Sequence, residues 1–394
     1  MITWSIAIAC IIILFIWLDF WLGSKYFKKN APVFSYETNL SDMELITEGK
    51  DFFDLLFNDL NKAKKSIRIC FFIVGNDAIS QEFFRILQDK AQSGIPVYLL
   101  MDWMGSLKVK RKYIQRLKKC GVKVKRGNKP MLPFLFYRLN RRNHRKIAII
   151  DGQISYLGGF NVGKEYLGAD PKLGHWKDYH IRLPHPSLAI TMEKIFSYDW
   201  RREGQGLTNN YYTNTSDRNC ALTITEAGQL ELNIIEWINH ATDSIMIGSP
   251  YFIPTKRVFS SLLAALERGV ELTILVPKKA DHPFVKAAAL PFFKKILKHG
   301  GSVYYYNNGF YHTKVILIDH NWCDIGTANF DQRSFLYNQE INLIVNNKNL
   351  IRPIKHAISK DLSDSFLLTE QAIKQMPITI KINRVLSRLL RPFL

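Results

Sequence analysis

Asn143-His144-Arg145-Lys146-Ile147-Ala148-Ile149-Ile150-Asp151 and Tyr311-His312-Thr313-Lys314-Val315-Ile316-Leu317-Ile318-Asp319 are one pattern written twice: His-x-Lys, four apolar or small residues, then Asp. Each copy is followed at the same distance by a small-residue turn and an Asn, Gly158-Gly159-Phe160-Asn161 in the first and Gly326-Thr327-Ala328-Asn329 in the second. The matched His, Lys, Asp, Gly and Asn are all 168 positions apart (for example 312 minus 144). Five polar or glycine matches in register mark a duplication.

Working outward, Lys65-Ser66-Ile67-Arg68-Ile69 has its counterpart in Asp243-Ser244-Ile245-Met246-Ile247, and Gly94-Ile95-Pro96-Val97 in Gly269-Val270-Glu271-Leu272. Helical spacing over 51–64, 79–91, 230–241 and 258–268 alternates with short apolar runs over 66–74, 97–101, 245–247 and 272–276. This predicts an α/β fold made of two similar halves related by a pseudo-twofold, each with a sheet flanked by helices. The polar, Gly/Asn/Thr-rich stretch 201–219 is the candidate linker. The expected domains are a membrane anchor with a basic flank over 1–30, a first half over 31–204 and a second over 205–394.

Residues 2–22 are almost wholly apolar without Lys or Arg, and at about 1.5 Å per residue they span roughly the 30 Å of a bilayer core. A basic n-region and a small-x-small cleavage site are both missing, so the stretch reads as one transmembrane helix and not a signal peptide. Trp4 lies near one end and Trp17 and Trp21 near the other, with Asp19 within reach of headgroups. Lys25, Lys28 and Lys29 follow at once, which predicts a single-pass protein of the cell membrane with a cytoplasmic body.

The 394 residues, 47% hydrophobic and 13% aromatic, suffice for two domain cores and exclude a disordered chain. Lys plus Arg outnumber Asp plus Glu by 54 to 34, a formal charge of +20, which favours a polyanionic partner. Charge alone does not separate nucleic acid from an anionic membrane. The apolar stretch Met131 to Tyr137 lies between Lys123, Lys125, Arg126 and Lys129 on one side and Arg138, Arg141 and Arg142 on the other. It reads either as a loop dipping Phe134, Leu135 and Phe136 into a membrane or as a buried core segment; the first reading makes the partner lipid, with no nucleic acid expected. Residues 381–390 could lie on the membrane or pack on the body. The five cysteines are odd in number, scattered and without metal spacing, so they suggest a reducing compartment and offer no nucleophile.

On a strand, His144 and Lys146 share one face while Asp151, an odd number of residues on, lies on the other; His312, Lys314 and Asp319 repeat this. The candidate catalytic residues are therefore His144, Lys146 and Asp151 of the first motif and His312, Lys314 and Asp319 of the second, each Asp grouped with its motif although its face of the strand suggests a structural part. Two imidazoles brought together can divide a phosphodiester cleavage, one attacking phosphorus and one protonating the leaving oxygen. Lys146, Lys314, Asn161 and Asn329 would surround the non-bridging oxygens. This chemistry calls for no metal and no cofactor.

The duplicated His-x-Lys-x4-Asp resembles the hallmark of the phospholipase D superfamily. Arg142 to Lys146, Gly158-Gly159-Phe160-Asn161, Trp176-Lys177-Asp178-Tyr179-His180, Ser249-Pro250-Tyr251-Phe252-Ile253-Pro254, and Gly326 to Asp331 with Arg333-Ser334 resemble its bacterial cardiolipin synthases from about residue 40 onward. Many of those begin with two transmembrane helices; the single one here resembles the shorter, minor synthases. The resemblance implies two phospholipase D-like domains. It implies transfer of a phosphatidyl group between two phosphatidylglycerol molecules, with His144 as nucleophile and His312 as the proton donor and acceptor, so that His144 is neutral while His312 carries a proton. It also implies that an acid from the opposite half orients each histidine, Glu340 for His144 and Asp178 for His312. The other readings are a phospholipase D that uses water or another alcohol, and a membrane-tethered binder of nucleic acid or lipid with a vestigial site.

Overall fold

Each motif strand lies in the interior of a mixed sheet. In the computed structural model, which describes residues 2–201, 218–281 and 283–375, Ile147–Ile150 is antiparallel to Ile67–Phe71 on one side and Ile154–Gly158 on the other. Val97–Asp102 and Lys123–Gly127 extend this sheet in parallel beyond Ile67–Phe71, and Trp176–Leu183 continues it at the other side. The second half repeats the plan, with Val315–Ile318 between Ser244–Gly248 and Trp322–Gly326, then Glu271–Pro277 and Ser302–Tyr306 in parallel, and Glu340–Val345 opposite. All eight motif-strand residues are buried, because both faces of each sheet are covered.

Alternation along the strand assigns those faces. Ile147 and Ile149 join Val315 and Leu317 in one core shared by the two halves, together with Leu188, Met192 and Ile195 of the helix Pro186–Arg201 and Ile351, Ile354 and Ile358 of Lys348–Ser363. Ala148 and Ile150 face a separate core with Phe52, Leu56, Phe83 and Leu87, and Ile316 and Ile318 face its counterpart with Leu262, Phe293 and Ile296. The helices closing these outer cores start and stop where local chemistry dictates. Asp77 caps Ala78–Gln92 by accepting from Ser80 N–H at 3.0 Å, Thr255 caps Lys256–Glu267 by accepting from Val258 N–H at 3.2 Å, and Gly94 and Gly269 follow in the left-handed region.

The two halves exchange strands. Phe34–Thr38, expected in the first domain, is antiparallel to Cys220–Thr225 and so belongs to the second sheet, while Phe310–Tyr311 lies parallel to the start of Trp176–Leu183 in the first. A linear cut near residue 204 therefore does not separate two independent sheets. Most of the expected linker and all of residues 381–390 lie outside the described residues.

The helix Ile2–Asn30 is long and apolar enough over Cys10–Asn30 to cross a membrane. Its C-terminal part docks on the body. Phe15 meets Phe136 at 6.3 Å, Phe27 stacks on Tyr137 at 5.1 Å, and Gly23 leaves room for the Tyr137 side chain, 2.7 Å from where a Cβ would stand. Asp19 is buried here and not exposed to headgroups: its Oδ2 accepts the Tyr137 N–H at 2.9 Å.

Both motif aspartates end their strands in a tight hairpin. Asp151 and Gly152 have positive φ (58° and 63°) inside a turn closed by Gln153 N–H to Ile150 C=O, and Asp319 and His320 repeat this at 49° and 60°. These are the two positive-φ positions that a type I′ hairpin requires. The Asp151 carboxylate accepts the N–H groups of Lys64, Lys65 and Ser66, and Asp319 those of Thr242, Asp243 and Ser244. The structure thus corrects the grouping of Asp151 and Asp319 with the catalytic residues: each pins the start of the neighbouring strand, at the far end of the motif strand from its histidine. Asp151→Ala should lower stability by about 1–3 kcal/mol, measured as a fall in melting temperature, with Asp151→Asn milder and the activity of the remaining folded protein unchanged. A large fall in activity at unchanged melting temperature would give the carboxylate a direct part in the chemistry.

Candidate active site

The two histidines are placed by backbone pairing between the halves. His144 N–H donates to Gln339 C=O and Gln339 N–H to Arg142 C=O, both at 2.9 Å, so the segment before His144 runs alongside the segment before Glu340. Phe310 N–H to His175 C=O and His312 N–H to Lys177 C=O, both 2.7 Å, do the same before His312 and Asp178. Each imidazole consequently meets an acid of the other half. His144 Nδ1 is 3.0 Å from both carboxylate oxygens of Glu340, and His312 Nδ1 is 2.5 Å from Asp178 Oδ2. A carboxylate at Nδ1 holds the proton there and leaves Nε2 as the basic, nucleophilic nitrogen.

The supports behind the two acids differ. Thr327 Oγ1 donates to Glu340 at 2.6 Å and Asn338 Nδ2 donates at 3.2 Å. At the matching position of the first half stands Gly159, where a Cβ would lie 1.9 Å from Asp178 Oδ1; only glycine admits the acid so closely. Rings wall both imidazoles, Phe72 against His144 at 4.9 Å and Trp176 against His312 at 4.7 Å.

The lysines are buried beside the histidines. Lys146 Nζ donates to His144 C=O at 2.8 Å. Lys314 Nζ bonds to the His312 carbonyl and also lies 2.5 Å from His312 Nδ1 and 3.5 Å from Asp178. Nδ1 cannot donate to the carboxylate and accept from the ammonium at once, so His312, Lys314 and Asp178 share their protons as one cluster. Burial pushes Lys146 down to about 7 and Lys314 to about 8, with the Lys314 charge also acting on Lys146. Burial likewise takes both imidazoles down to about 4, and each feels the lysines of both motifs. Glu340 and Asp178 are held below the usual range: burial raises them, but His144 and Lys146 on one side and Lys314 and His312 on the other outweigh it. Both imidazoles are thus shifted toward the neutral form, His312 no less than His144, and nothing in this geometry separates their protonation states.

Other candidate residues are engaged within the fold. The Asn161 carboxamide accepts from Ile73 N–H at 2.9 Å and donates to the Tyr166 hydroxyl at 3.0 Å, and Asn329 Nδ2 donates to Asp331 at 3.2 Å. Both amides thus make contacts within their own loops, and the Asn329 carboxamide oxygen is buried without a partner among the described residues. Phe134 and Phe136 are half-buried, with Phe134 against Tyr26 and Phe136 against Phe15, and Leu135 is half-buried beside them. The exposed apolar tip is Met131 and Leu132, 48% and 71% accessible.

Sequence reasoning missed Thr327, which lies inside the quoted Gly-Thr-Ala-Asn turn, and Arg145, the variable residue of His-x-Lys. Arg145 points away from the site as alternation demands. Fully buried, it is paired with Asp199 and, at 2.8 Å, with Glu226 of the second half.

The family model described as "Cardiolipin synthase, PLD-like domain" matches residues 56–200 and 234–362, which contain both motifs and both acids. The chain belongs to this family. It is 36% identical to the minor cardiolipin synthase ClsB of Bacillus subtilis (strain 168), covering 99% of both chains, and 36% identical to a cardiolipin synthase of Oceanobacillus iheyensis over 91% of this chain and 76% of that one. Phosphatidylserine synthase of Haemophilus influenzae shares the fold at TM-score 0.74 and 14% identity, over 94% of this chain and 100% of that one. Polyphosphate kinase of Porphyromonas gingivalis does so at 0.60 and 15%, over 89% and 53%.

Because Thr327 reaches His144 only through Glu340, its role is to position. Thr327→Val should lower kcat about tenfold or more with KM little changed and move the acid limb of the pH–rate profile, and Thr327→Ser should restore both. A variant that loses stability but keeps its pH profile would reduce Thr327 to a packing role.

Proposed function

We propose that this cardiolipin synthase family member transfers a phosphatidyl group from one phosphatidylglycerol to the free glycerol hydroxyl of another, giving cardiolipin and glycerol through a covalent phosphatidyl-histidine. The observation that carries the reading is the pair of imidazoles, each tied at Nδ1 to a carboxylate of the opposite half, with two buried lysines acting on both.

The donor's phosphodiester anion enters a site where four basic groups are held below their ordinary pKa. Its charge stabilises their protonated forms, so a proton is taken up with the substrate. His144 Nε2 attacks phosphorus, the P–O bond to glycerol breaks, and His312 protonates the departing oxygen. The acceptor's hydroxyl then attacks the same phosphorus, His312 takes its proton, and the P–N bond to His144 breaks. Lys146 and Lys314 bear on the oxygens where negative charge grows. Attack by His144 follows the family's usual order; the geometry of the two motifs is close to symmetric. The body faces the cytoplasm, which the lysines just after the apolar helix support.

Purified full-length protein in detergent micelles with phosphatidylglycerol and a chelator should yield cardiolipin and glycerol in equal amounts. Phosphatidic acid as the main product would make water the acceptor. With a phosphatidyl donor whose leaving group is p-nitrophenol, His312→Ala should still accumulate a phosphatidyl adduct, because that group departs unprotonated, and should then stall for want of a base. His144→Ala should form none. An adduct on His312 in the His144→Ala protein reverses the roles, and wild-type turnover with no adduct removes the two-step route. Protease added to intact cells should spare the body; digestion from outside would overturn the orientation.

A further inference from the structure

A cavity of about 680 Å³ opens where the N-terminal helix leaves the body, and none of His144, Lys146, His312 or Lys314 lines it. Its size falls within the range of small-molecule sites. Lys29, Lys129, Arg138 and Arg141 bring four cations to it. Lys29 and Lys129 are exposed and have no carboxylate partner among the described residues, and Arg138 Nε is engaged only by the Pro133 carbonyl at 2.9 Å. Two acids, Asp199 and Glu226, also line it, and both are already paired with Arg145, Glu226 with Arg141 as well. The lining therefore carries cations in excess of its paired acids.

Part of the lining is aromatic and apolar. Tyr26, Phe27 and Met131 supply it, and the guanidinium groups of Arg138 and Arg141 stand 5.2 and 4.7 Å from the centre of the Phe27 ring. Trp17 and Trp21 stack on one another earlier on the same helix and Lys25 caps the Trp21 ring at 3.7 Å, the aromatic and cationic pairing found at membrane interfaces. On this basis, and on the reading that the helix spans a bilayer, we propose that the cavity is an accessory site for the phosphate headgroup of an anionic phospholipid from the surrounding leaflet, separate from the catalytic pocket. Asn143 and Gln339, the bridged pair that immediately precedes His144 and Glu340, also line the cavity, and Asn128 Nδ2 donates to Gln339 at 2.6 Å. A bound headgroup would therefore sit directly behind the backbone bridge that places His144.

The test uses the full chain in neutral detergent micelles, with phosphatidic acid as probe and zwitterionic phosphatidylcholine as control, read by native mass spectrometry. The wild type should retain one more phosphatidic acid than Lys29→Ala/Lys129→Ala, whose affinity at this site should fall roughly thirtyfold, with phosphatidylcholine retention unchanged. Both lysines are exposed, an unchanged melting temperature shows that the variant is folded, and Lys29→Arg/Lys129→Arg should recover the bound lipid. Equal retention by wild type and the alanine variant overturns the site. Displacement of the lipid by inorganic phosphate at comparable concentration would make free phosphate the ligand and overturn the lipid assignment. Extraction of membranes with alkaline carbonate tests the spanning helix separately: release of the chain would remove the leaflet as the source of the ligand.

Discussion

The rest of the site depends on backbone pairing between the halves immediately before each catalytic-motif histidine. Bonds from His144 to Gln339 and from His312 to Lys177 fix where each ring begins, and the next residue on the paired strand is in each case the acid that meets the ring. Neither half holds a histidine with its carboxylate; each holds one member of both pairs. Duplication followed by docking supplies a symmetric site without either half having been able to form it alone. The strand exchange points the same way, since Phe34–Thr38 and Phe310–Tyr311 each complete the sheet of the other half.

Docking of this kind must bury charge, and the cost is met by satisfying each group. Behind the first motif, Arg145 is shared between Asp199 and Glu226, Glu226 also takes Arg141, and Gln339 donates to Glu226 at 2.9 Å. Removing one member of such a cluster leaves a buried charge unpaired, which is worth about 3–5 kcal/mol in comparable cases. In the pocket of the two motifs, four basic groups are buried with only two acids among them, Glu340 and Asp178. The depressed pKa values of the four bases express burial first and the excess of positive charge second.

Much of this was legible in the sequence because the duplication turns weak local signals into paired ones. The helices and strands of both halves stand within a few residues of where periodicity puts them, and period-two alternation separated His144 and Lys146 from Asp151. What was not legible depends on contacts between distant segments. Nothing local to Phe34–Thr38 tells it to cross to the second sheet. Phe134 and Phe136 read as membrane tips because their basic flanks are visible in the sequence, whereas the aromatic helix face that covers them, with Phe15, Tyr26 and Phe27, lies more than a hundred residues earlier. Asn161 and Asn329 look like phosphate ligands from their position alone; the backbone N–H and hydroxyl that occupy Asn161 can be counted only in three dimensions.

The docking of the N-terminal helix joins membrane attachment to chemistry. The segment 134–142 lies between that helix and the first motif: its Tyr137 N–H is held by Asp19, its Tyr137 ring by Phe27, and its Arg142 by Asp102 and by the bridge to Gln339. Asp102 in turn accepts the Asn143 N–H at 3.0 Å, one residue before His144. A chain of buried contacts therefore runs from the helix that could lie in a bilayer to the backbone that sets the first imidazole. The helix and the first imidazole are thereby fixed relative to one another, so a bilayer that held the helix would hold the site at a set distance from its surface.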